Sequence, residues 1–574
     1  MLILGIHDGH NATACLLNNG KILGMASEER FTKVKNQGGF PIKAIQWLLD
    51  ENDISQNKIT NIAFAGKINP VTEVTSNKRL RHNFISKISQ YLPASLIKSS
   101  LLNKYAISRL EKKRKKLDYY EAEFKELGID KNKITFIEHH TCHGSTAYYS
   151  DDNYDYERKV LVFTLDGSGD GVSATVSIGH KNTMRRLKTI HSYDSLGMVY
   201  SRTTAFLGMK PLEHEYKLMG MAPYASDYQT KISYDTYKKY ISLSEDGLSI
   251  ENKTGRYGNG MLEKMKEDLF LQRFDGVSAG LQKITEEIAS NWIYNWVEET
   301  GIKNIVVAGG VFMNVKLNMI LNESDNIDNV FFMPSCGDES ICLGAALETY
   351  VKNNKKQCNI NKLKNIYLGP SYDDNQIKNI LESRNEFNFK KYEDINSHIA
   401  DMLTEDKIIG RLYGKMEFGA RSLGNRSIIA NPSNYQIVSK INRAIKMRDF
   451  WMPFAPSIIA EDATKYLVSN KQKFTAPFMI LGFNTTELAQ TELAAGLHQS
   501  DFTCRPQLVE KNANPEYYDL IEKFKNKTGI SGVLNTSFNI HGYPIVNGPE
   551  DALWTLQNSD LDAIQIGNYL VTKK

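Results

Sequence analysis

The sequence predicts an α/β protein of at least two domains, the first of them internally duplicated, and three observations lead there. At 574 residues the chain exceeds what one hydrophobic core organises, since single cores stop growing near about 250–300 residues. A strand ending in Asp-Gly, followed by a turn and a strand of small residues, occurs twice, at Asp8 and at Asp166. Strands, glycine turns and amphipathic helices then alternate along the later sequence.

The elements follow in chain order. Leu2 to Ile6 reads as a strand, Asp8-Gly9-His10-Asn11 as a polar turn, and Ala12 to Leu17 as a second strand. Asn18-Asn19-Gly20 turns the chain into a third, Lys21 to Ala26, which completes a meander. Between Lys67 and Lys131 lies a basic, helix-prone stretch whose run Lys112-Lys113-Arg114-Lys115-Lys116 reads as a solvated helix face. From Lys159 the meander recurs: VLVFTLD, the turn Gly167 to Gly171, VSATVSIG, and the turn His180-Lys181-Asn182. Leu281, Ile284, Ile288 and Trp292 recur at helical spacing over Asp275 to Glu299, with Asp275 as N-cap and Gly301 as stop. The strand Asn304 to Ala308, the pair Gly309-Gly310 and a helix through Asn314, Asn318 and Leu321 come next. The Asn-, Lys- and Gln-rich stretch Val351 to Lys364 reads as the main linker, giving domains 1–355 and 365–574.

Composition narrows the function classes. With 41% hydrophobic and 24% charged residues the chain is folded, neither collagen-like nor disordered. Seventy basic against 66 acidic side chains leave a net charge of +4, so anion binding has to come from local clusters, and a nucleic-acid coat protein is excluded. The six cysteines form no CxxC pair, which fits a reducing cytoplasm. No stretch of about 18 apolar residues is present, so no spanning helix and no membrane partner are expected, and the near-balanced charge gives no expectation of nucleic acid.

Several residues have the chemistry of a site. His139 and His143, in EHHTCHG, are four apart, so on a helix both imidazoles project from one face, which suits a shared metal or an ordinary surface or supporting pair, while His140 points elsewhere. Asp338, between a strand and a helix, is a third ligand or a helix N-cap. The turns holding Asp8 and Gly9, and Asp166, Gly167 and Gly169, offer backbone N–H groups to a phosphate chain, or are tight β-turns. Gly309 and Gly310 admit a nucleotide or serve helix–sheet packing. In the second domain Lys415, Arg421, Arg426, Lys446, Arg448 and Arg505 stand among glycines and apolar residues. So many cations are costly to cluster without an anionic ligand, which implies one rich in phosphate. Asn535, Thr536 and Ser537 add amide and hydroxyl groups after a strand, with turn capping as the other use.

Taken together, GHNATACLL, SEERFTKVKNQGGFP, HHTCH, LDGSGDG, EYKLMGMAPY, AGGVFMNVKLN, GDES, EFGARSLGNRSIIANP, RDFWMPFAPS and NTSFNIHGYPI resemble the O-carbamoyltransferases of the nodulation-factor, cephamycin and tobramycin type, in order along nearly the whole chain. The resemblance implies an N-terminal duplicated actin-like (RNase H-like) ATPase domain and a C-terminal YrdC-like α/β domain. It implies that carbamoyl phosphate and ATP form carbamoyl-adenylate in the second domain, and that the first passes the carbamoyl group to a hydroxyl of a small-molecule acceptor. It assigns His139, His143 and Asp338 to a metal, iron(II), with Mg(II) accompanying ATP. His10 becomes the base, Lys35 and Lys217 stabilise charge near it, and Gly309, Gly310 and Asn314 form the adenosine-binding turn. The second-domain cations and Asn535 to Ser537 bind carbamoyl phosphate and ATP. Family members commonly carry Asp after the first-turn histidine; here Asn11 offers no carboxylate. A homodimer is compatible with the resemblance. An actin-like kinase or chaperone-type ATPase would leave the arginine-rich motifs unused, and an RNA-binding module would rest on Lys112 to Lys116.

Overall fold

The computed structural model describes residues 1–70, 98, 100–151, 157–354, 358–472 and 474–574. Part of the basic stretch, residues 71–97 and 99, lies outside the described residues. The chain forms two compact units, one of Met1–Glu28 with Asn36–Leu363 and one of Glu29–Lys35 with Lys364–Lys574. The changeover at Leu363 lies within the stretch Val351 to Lys364, and residues 29–35, inside the expected 1–355 domain, cluster with unit 2. Arg30 explains why: it is buried, and its guanidinium donates to the Gly419 carbonyl at 2.9 Å, while Lys33 pairs with Asp551.

Unit 1 holds two five-stranded sheets of one topology. In the first, β1 (Leu2–His7), β2 (Thr13–Asn18) and β3 (Lys21–Ser27) form an antiparallel meander, and β4 (Asn61–Ala65) and β5 (Ile134–Ile137) add in parallel beyond β1, for the order β3-β2-β1-β4-β5. In the second, β6 (Val160–Gly169), β7 (Val172–His180) and β8 (Thr183–His191) repeat the meander. A small hairpin of β9 (Ile241–Leu243) and β10 (Ile250–Asn252) stands apart, and β11 (Asn304–Ala308) and β12 (Asn329–Phe332) add in parallel beyond β6. The strand order β8-β7-β6-β11-β12 reproduces that of the first sheet. β1 is buried along its whole length, as parallel pairing with covered faces requires.

Two helices bring the sheets' ends to one place. Helix His139–Ser150 follows β5 and is buried all round except at Thr141, so its sequence carries little amphipathic pattern. Helix Ile341–Asn353 crosses it at backbone distance, since a Cβ on Gly344 would overlap the Cys142 carbonyl. The long helix spans Phe274–Thr300; Gly301 ends it in the left-handed region at φ 68°. Asp275 is not its N-cap, because that position belongs to Arg273, with which Asp275 pairs at 2.8 Å.

Unit 2 is a mixed eight-stranded sheet between helices. Its strands are β13 (Phe387–Lys391), β14 (Ile409–Leu412), β15 (Arg426–Ala430), β16 (Ala455–Ile459), β19 (Gln507–Val509), β20 (Gly532–Ser537), β21 (Ala563–Ile566) and β22 (Tyr569–Lys573), in the order β13-β22-β21-β14-β15-β20-β16-β19. A short pair, β17 (Leu467–Val468) and β18 (Asn484–Thr485), lies outside the sheet. Alternation along the strands divides the core: Ile428 and Leu534 pack on one face, Ile429 and Val533 on the other. Among the described residues no helix is long and apolar enough to cross a membrane.

Candidate metal centre and cation cluster

The metal centre is built from three chain segments of unit 1. Glu138 caps helix His139–Ser150, accepting from the N–H groups of His140 (3.1 Å) and Thr141 (2.8 Å). Burial opposes its charge, and the Arg186 guanidinium at 2.7 Å outweighs that, holding its carboxyl at about 2. Asp170 accepts from the His139 N–H at 2.8 Å and from the N–H groups of Lys67 and Ile68. With the helix start fixed in this way, His139 and His143 face one another, Nε2 to Nε2, at 3.2 Å. His140 points away, as its spacing implies: Nε2 meets the Val172 carbonyl and Nδ1 the Thr164 hydroxyl, and burial first, then His139, lowers its pKa to about 3.

Two carboxylates complete the group. Asp338 Oδ1 lies 3.2 Å from His143 Nε2 and 3.4 Å from His139 Nε2. Asp338 is not a helix N-cap, because Gly337 holds that position. Asp166 Oδ2 lies 3.5 Å from His139 Nε2, while its Oδ1 accepts the Gly310 N–H at 3.0 Å. One ligand atom from each of His139, His143, Asp166 and Asp338 falls within 4.8 Å of the others. The sequence reads Asp166 as part of a phosphate-binding turn; in the structure its carboxylate lies with His139, His143 and Asp338 in the candidate metal site. Burial and Asp338 press Asp166 upward, yet the imidazoles hold it at about 2, and Asp338 is likewise held well below the carboxylate range despite burial, by His139 first. Two imidazole nitrogens at 3.2 Å cannot both carry a proton toward each other, and two ionised carboxylates face the same point. Buried anionic and neutral nitrogen donors converging in this way fit a divalent first-row cation. His143 Nδ1 is buried without a partner among the described residues, so what Nε2 faces sets its tautomer.

Glycine clears the space. A Cβ on Gly169 would overlap the His139 ring, and one on Gly309, at φ 110°, would overlap the Leu165 carbonyl. Gly309 and Gly310 thus serve strand contact and Asp166. Gly167 opens onto free space, with nothing within 4 Å of a Cβ. Asn314 caps helix Val315–Glu323 and exchanges two amide hydrogen bonds with Gln282, which commits most of its side chain to the scaffold.

The first turn differs from expectation. His10, 37% exposed, sets Nδ1 3.7 Å from Asp338 Oδ2. Asp8 does not face a ligand: Arg114 grips both its oxygens, at 2.7 and 2.8 Å, and Tyr120 donates to it at 2.9 Å. Arg114 is fully buried while its four lysine neighbours are exposed, so the basic run is not uniformly a solvated face. His7, which sequence reasoning passed over, is buried; burial lowers its pKa to about 4, and its neutral ring donates Nε2–H to the His10 carbonyl at 3.1 Å. Gly9 leaves room for that ring. Lys217 lies half-buried in helix Glu215–Met221, whose first residue, Glu215, is near enough to His10 to feel its charge.

Unit 2 gathers a second group. Lys446 is buried, and its ammonium donates to neutral oxygens: the Ser537 carbonyl and hydroxyl, and the carbonyl (3.1 Å) and side chain (2.7 Å) of Asn539. Burial, then Arg448 and Lys35, push it well below the usual lysine range. Burial, then Arg421 and Arg448, do the same to Arg505. Arg448 donates to Thr536 at 3.0 Å. Asn535 donates to the Ser422 carbonyl at 3.1 Å, and its buried Oδ1 has no partner. Lys35 therefore belongs with this cluster in unit 2, not with His10, because the segment Glu29–Lys35 packs there. Arg426 is a structural clamp: fully buried, it donates to the carbonyls of Asn547, Tyr413, Gly414, Asn425 and Pro370. Lys415 is exposed, and its carbonyl accepts from the Asn425 side chain at 2.7 Å. Buried Arg411, unremarked in the sequence, donates to Gly424, Asn396 and Gln565 as a second clamp.

Comparison with known proteins meets this geometry. Residues 2–347 match the family described as carbamoyltransferase N-terminus, and residues 400–573 the one described as carbamoyltransferase C-terminus. An uncharacterized protein of Methanocaldococcus jannaschii is 32% identical, with all of both chains covered. The nodulation protein NolNO of Sinorhizobium fredii is 30% identical over 98% of this chain and 79% of its own. Among solved structures, component A of the Acidaminococcus fermentans (R)-2-hydroxyglutaryl-CoA dehydratase is similar at 16% identity and a TM-score of 0.34, over 61% of this chain and 98% of that one. The two family matches and the full-length relatives together establish that this chain belongs to the carbamoyltransferase family and is a transferase.

Proposed function

We propose that the chain is an ATP-dependent O-carbamoyltransferase working in two stages, with unit 2 as a YrdC-like adenylate-forming unit and unit 1 as an actin-like transfer unit. In unit 2, water displaces phosphate from carbamoyl phosphate, the carbamate oxygen attacks the α-phosphorus of ATP, and pyrophosphate leaves. In unit 1, a hydroxyl of a small-molecule acceptor attacks the carbamoyl carbon of carbamoyl-adenylate, its proton passes to His10, and AMP leaves. AMP is a far better leaving group than the oxygen of carbamate, which is the reason to activate at all.

The observation that carries this reading is the cation cluster of unit 2. Lys446 is buried against neutral oxygens, and Lys35, Arg421, Arg448 and Arg505 stand near enough to oppose one another's charge. Burial and neighbouring cations lower both Lys446 and Arg505, and the anionic oxygens of a phosphate-bearing substrate would relieve that in this reading. In unit 1, His139, His143, Asp166 and Asp338 would hold a divalent cation, iron(II) in this reading, with Mg(II) accompanying ATP. Such a cation, when bound, polarises phosphate oxygens. In this reading a nucleotide phosphate approaches beside Gly167, where a Cβ meets nothing within 4 Å among the described residues, and His10, 37% exposed, takes the acceptor's proton.

Purified protein given ATP and carbamoyl phosphate, without acceptor, should exchange labelled pyrophosphate into ATP; absence of exchange at every carbamoyl phosphate concentration sinks the adenylate route. Arg505→Ala should lower exchange by about 100-fold, as loss of a desolvated charge-assisted contact does. His143→Ala should lose metal yet keep exchange.

A further inference from the structure

Between β4 and β5 the chain turns one charged side chain, Arg114, into the core of unit 1, beside buried Leu117, Tyr120 and Phe124. Helix Ser100–Lys116 ends in a basic run in which Arg114 alone turns inward, over the rings of Phe64 (5.4 Å) and Phe136 (5.3 Å). There its two terminal nitrogens take both oxygens of Asp8. The groups facing the Asp8 carboxylate are Arg114, Tyr120 and His7. Asp8 begins the turn that presents His10, and the His7 ring closes that turn on the His10 carbonyl. A buried ion pair adds little net stability compared with well-packed apolar side chains; what the bidentate fork adds is a fixed direction.

We infer that Arg114 is a positioning residue: by gripping Asp8 from inside unit 1 it fixes the turn from His7 to His10 and keeps the Asp8 carboxylate from any ligand. This rests on the proposed role of His10 for its catalytic meaning, but the geometry can be tested apart from that role.

Carbethoxylation of the full chain by diethyl pyrocarbonate, read at each histidine by mass spectrometry, is the direct test. His7 and His140 are both buried in unit 1, 4% and 1% exposed, and His140 is bonded to Thr164 and Val172, away from this turn. Arg114→Gln should raise the His7 rate by about tenfold or more with His140 still protected, as local opening does. The neutral pair Asp8→Asn/Arg114→Gln should return His7 to within about threefold of the parent, the coupling expected of residues in contact. Arg114→Lys, which restores charge without the fork, should fall between. His7 staying protected in Arg114→Gln overturns the proposal, and so does a double variant as reactive as the single one. Exposure of His140 along with His7 in both single Arg114 variants overturns it too, by making Arg114 a general scaffold residue. AMP release from ATP and carbamoyl phosphate, with water as acceptor, should fall in Arg114→Gln and fall no further in Arg114→Gln/His10→Asn than in His10→Asn. A parent chain releasing no AMP counts against the adenylate reading and leaves the histidine result to judge the positioning role.

Discussion

Asp8-Gly9 follows β1 and Asp166-Gly167 lies in the last stretch of β6, the equivalent strand of a sheet with the same topology, and each stretch keeps a glycine that clears a histidine ring, Gly9 for His7 and Gly169 for His139. Their carboxylates have opposite uses. Both are held ionised against burial: Asp8 is lowered by Arg114, and Asp166 is held at about 2 by imidazoles. Asp8 is closed off by a guanidinium and a phenol, whereas Asp166 is oriented by a single N–H from Gly310 and left facing His139 and Asp338. Duplication thus supplied two similar turns, and the groups packed behind each decide which carboxylate faces the candidate metal site.

The sharpest way to break the comparison is to remove the guanidinium. Arg114→Ala leaves a buried uncompensated carboxylate and should cost about 3–5 kcal/mol in urea unfolding of unit 1, most of it regained in Asp8→Asn/Arg114→Ala. A loss below about 1 kcal/mol would show that Asp8 finds water or another partner. Next, Asp166→Asn should weaken Co(II) binding, followed by calorimetry, by about 100-fold, while Asp8→Asn changes it by less than about threefold. Equal losses in the two variants would erase the distinction drawn between the turns. Gly169→Ala should cost about 1–3 kcal/mol and lower metal affinity by displacing His139, while Gly9→Ala costs a similar amount but leaves metal affinity alone.

The smallest effect concerns pH. Because Arg186 lowers the folded-state pKa of Glu138 to about 2, the unfolded chain binds its proton first. The stabilisation is present above the ordinary glutamate range, near about pH 4.3, and is lost as pH falls toward the folded value. Glu138→Gln should therefore lower the melting temperature by roughly 1–2 °C at pH 7, with the gap closing below about pH 3. A gap that persists at acid pH would assign the effect to the lost cap geometry.

Much of this was legible in the chain itself. Alternating apolar residues and Asp-Gly turns mark both meanders, because strand period and turn chemistry are local properties. The four-residue spacing of His139 and His143 sets both rings on one helix face for the same reason. The place of Asp166 in the repeat, equivalent to that of Asp8, is the sequence signal that sets it apart as a candidate ligand beside the histidine pair.

What tertiary structure alone decided is partnership across long separations. Nothing near Arg114 in sequence marks it off from its four lysine neighbours; one position of the helix end faces inward, and the acid it meets lies 106 residues away. Lys35 reads as a neighbour of His10, yet buried Arg30 anchors its segment in unit 2, beside Lys446. Arg426 looks like its neighbour Arg421 until five carbonyls claim it. Sequence fixes which side chains carry charge and how neighbours along one element are spaced. Whether a charge is spent on the scaffold or kept for a ligand depends on which groups folding packs around it, because burial makes an unpaired charge so costly that the nearest complementary group determines its use.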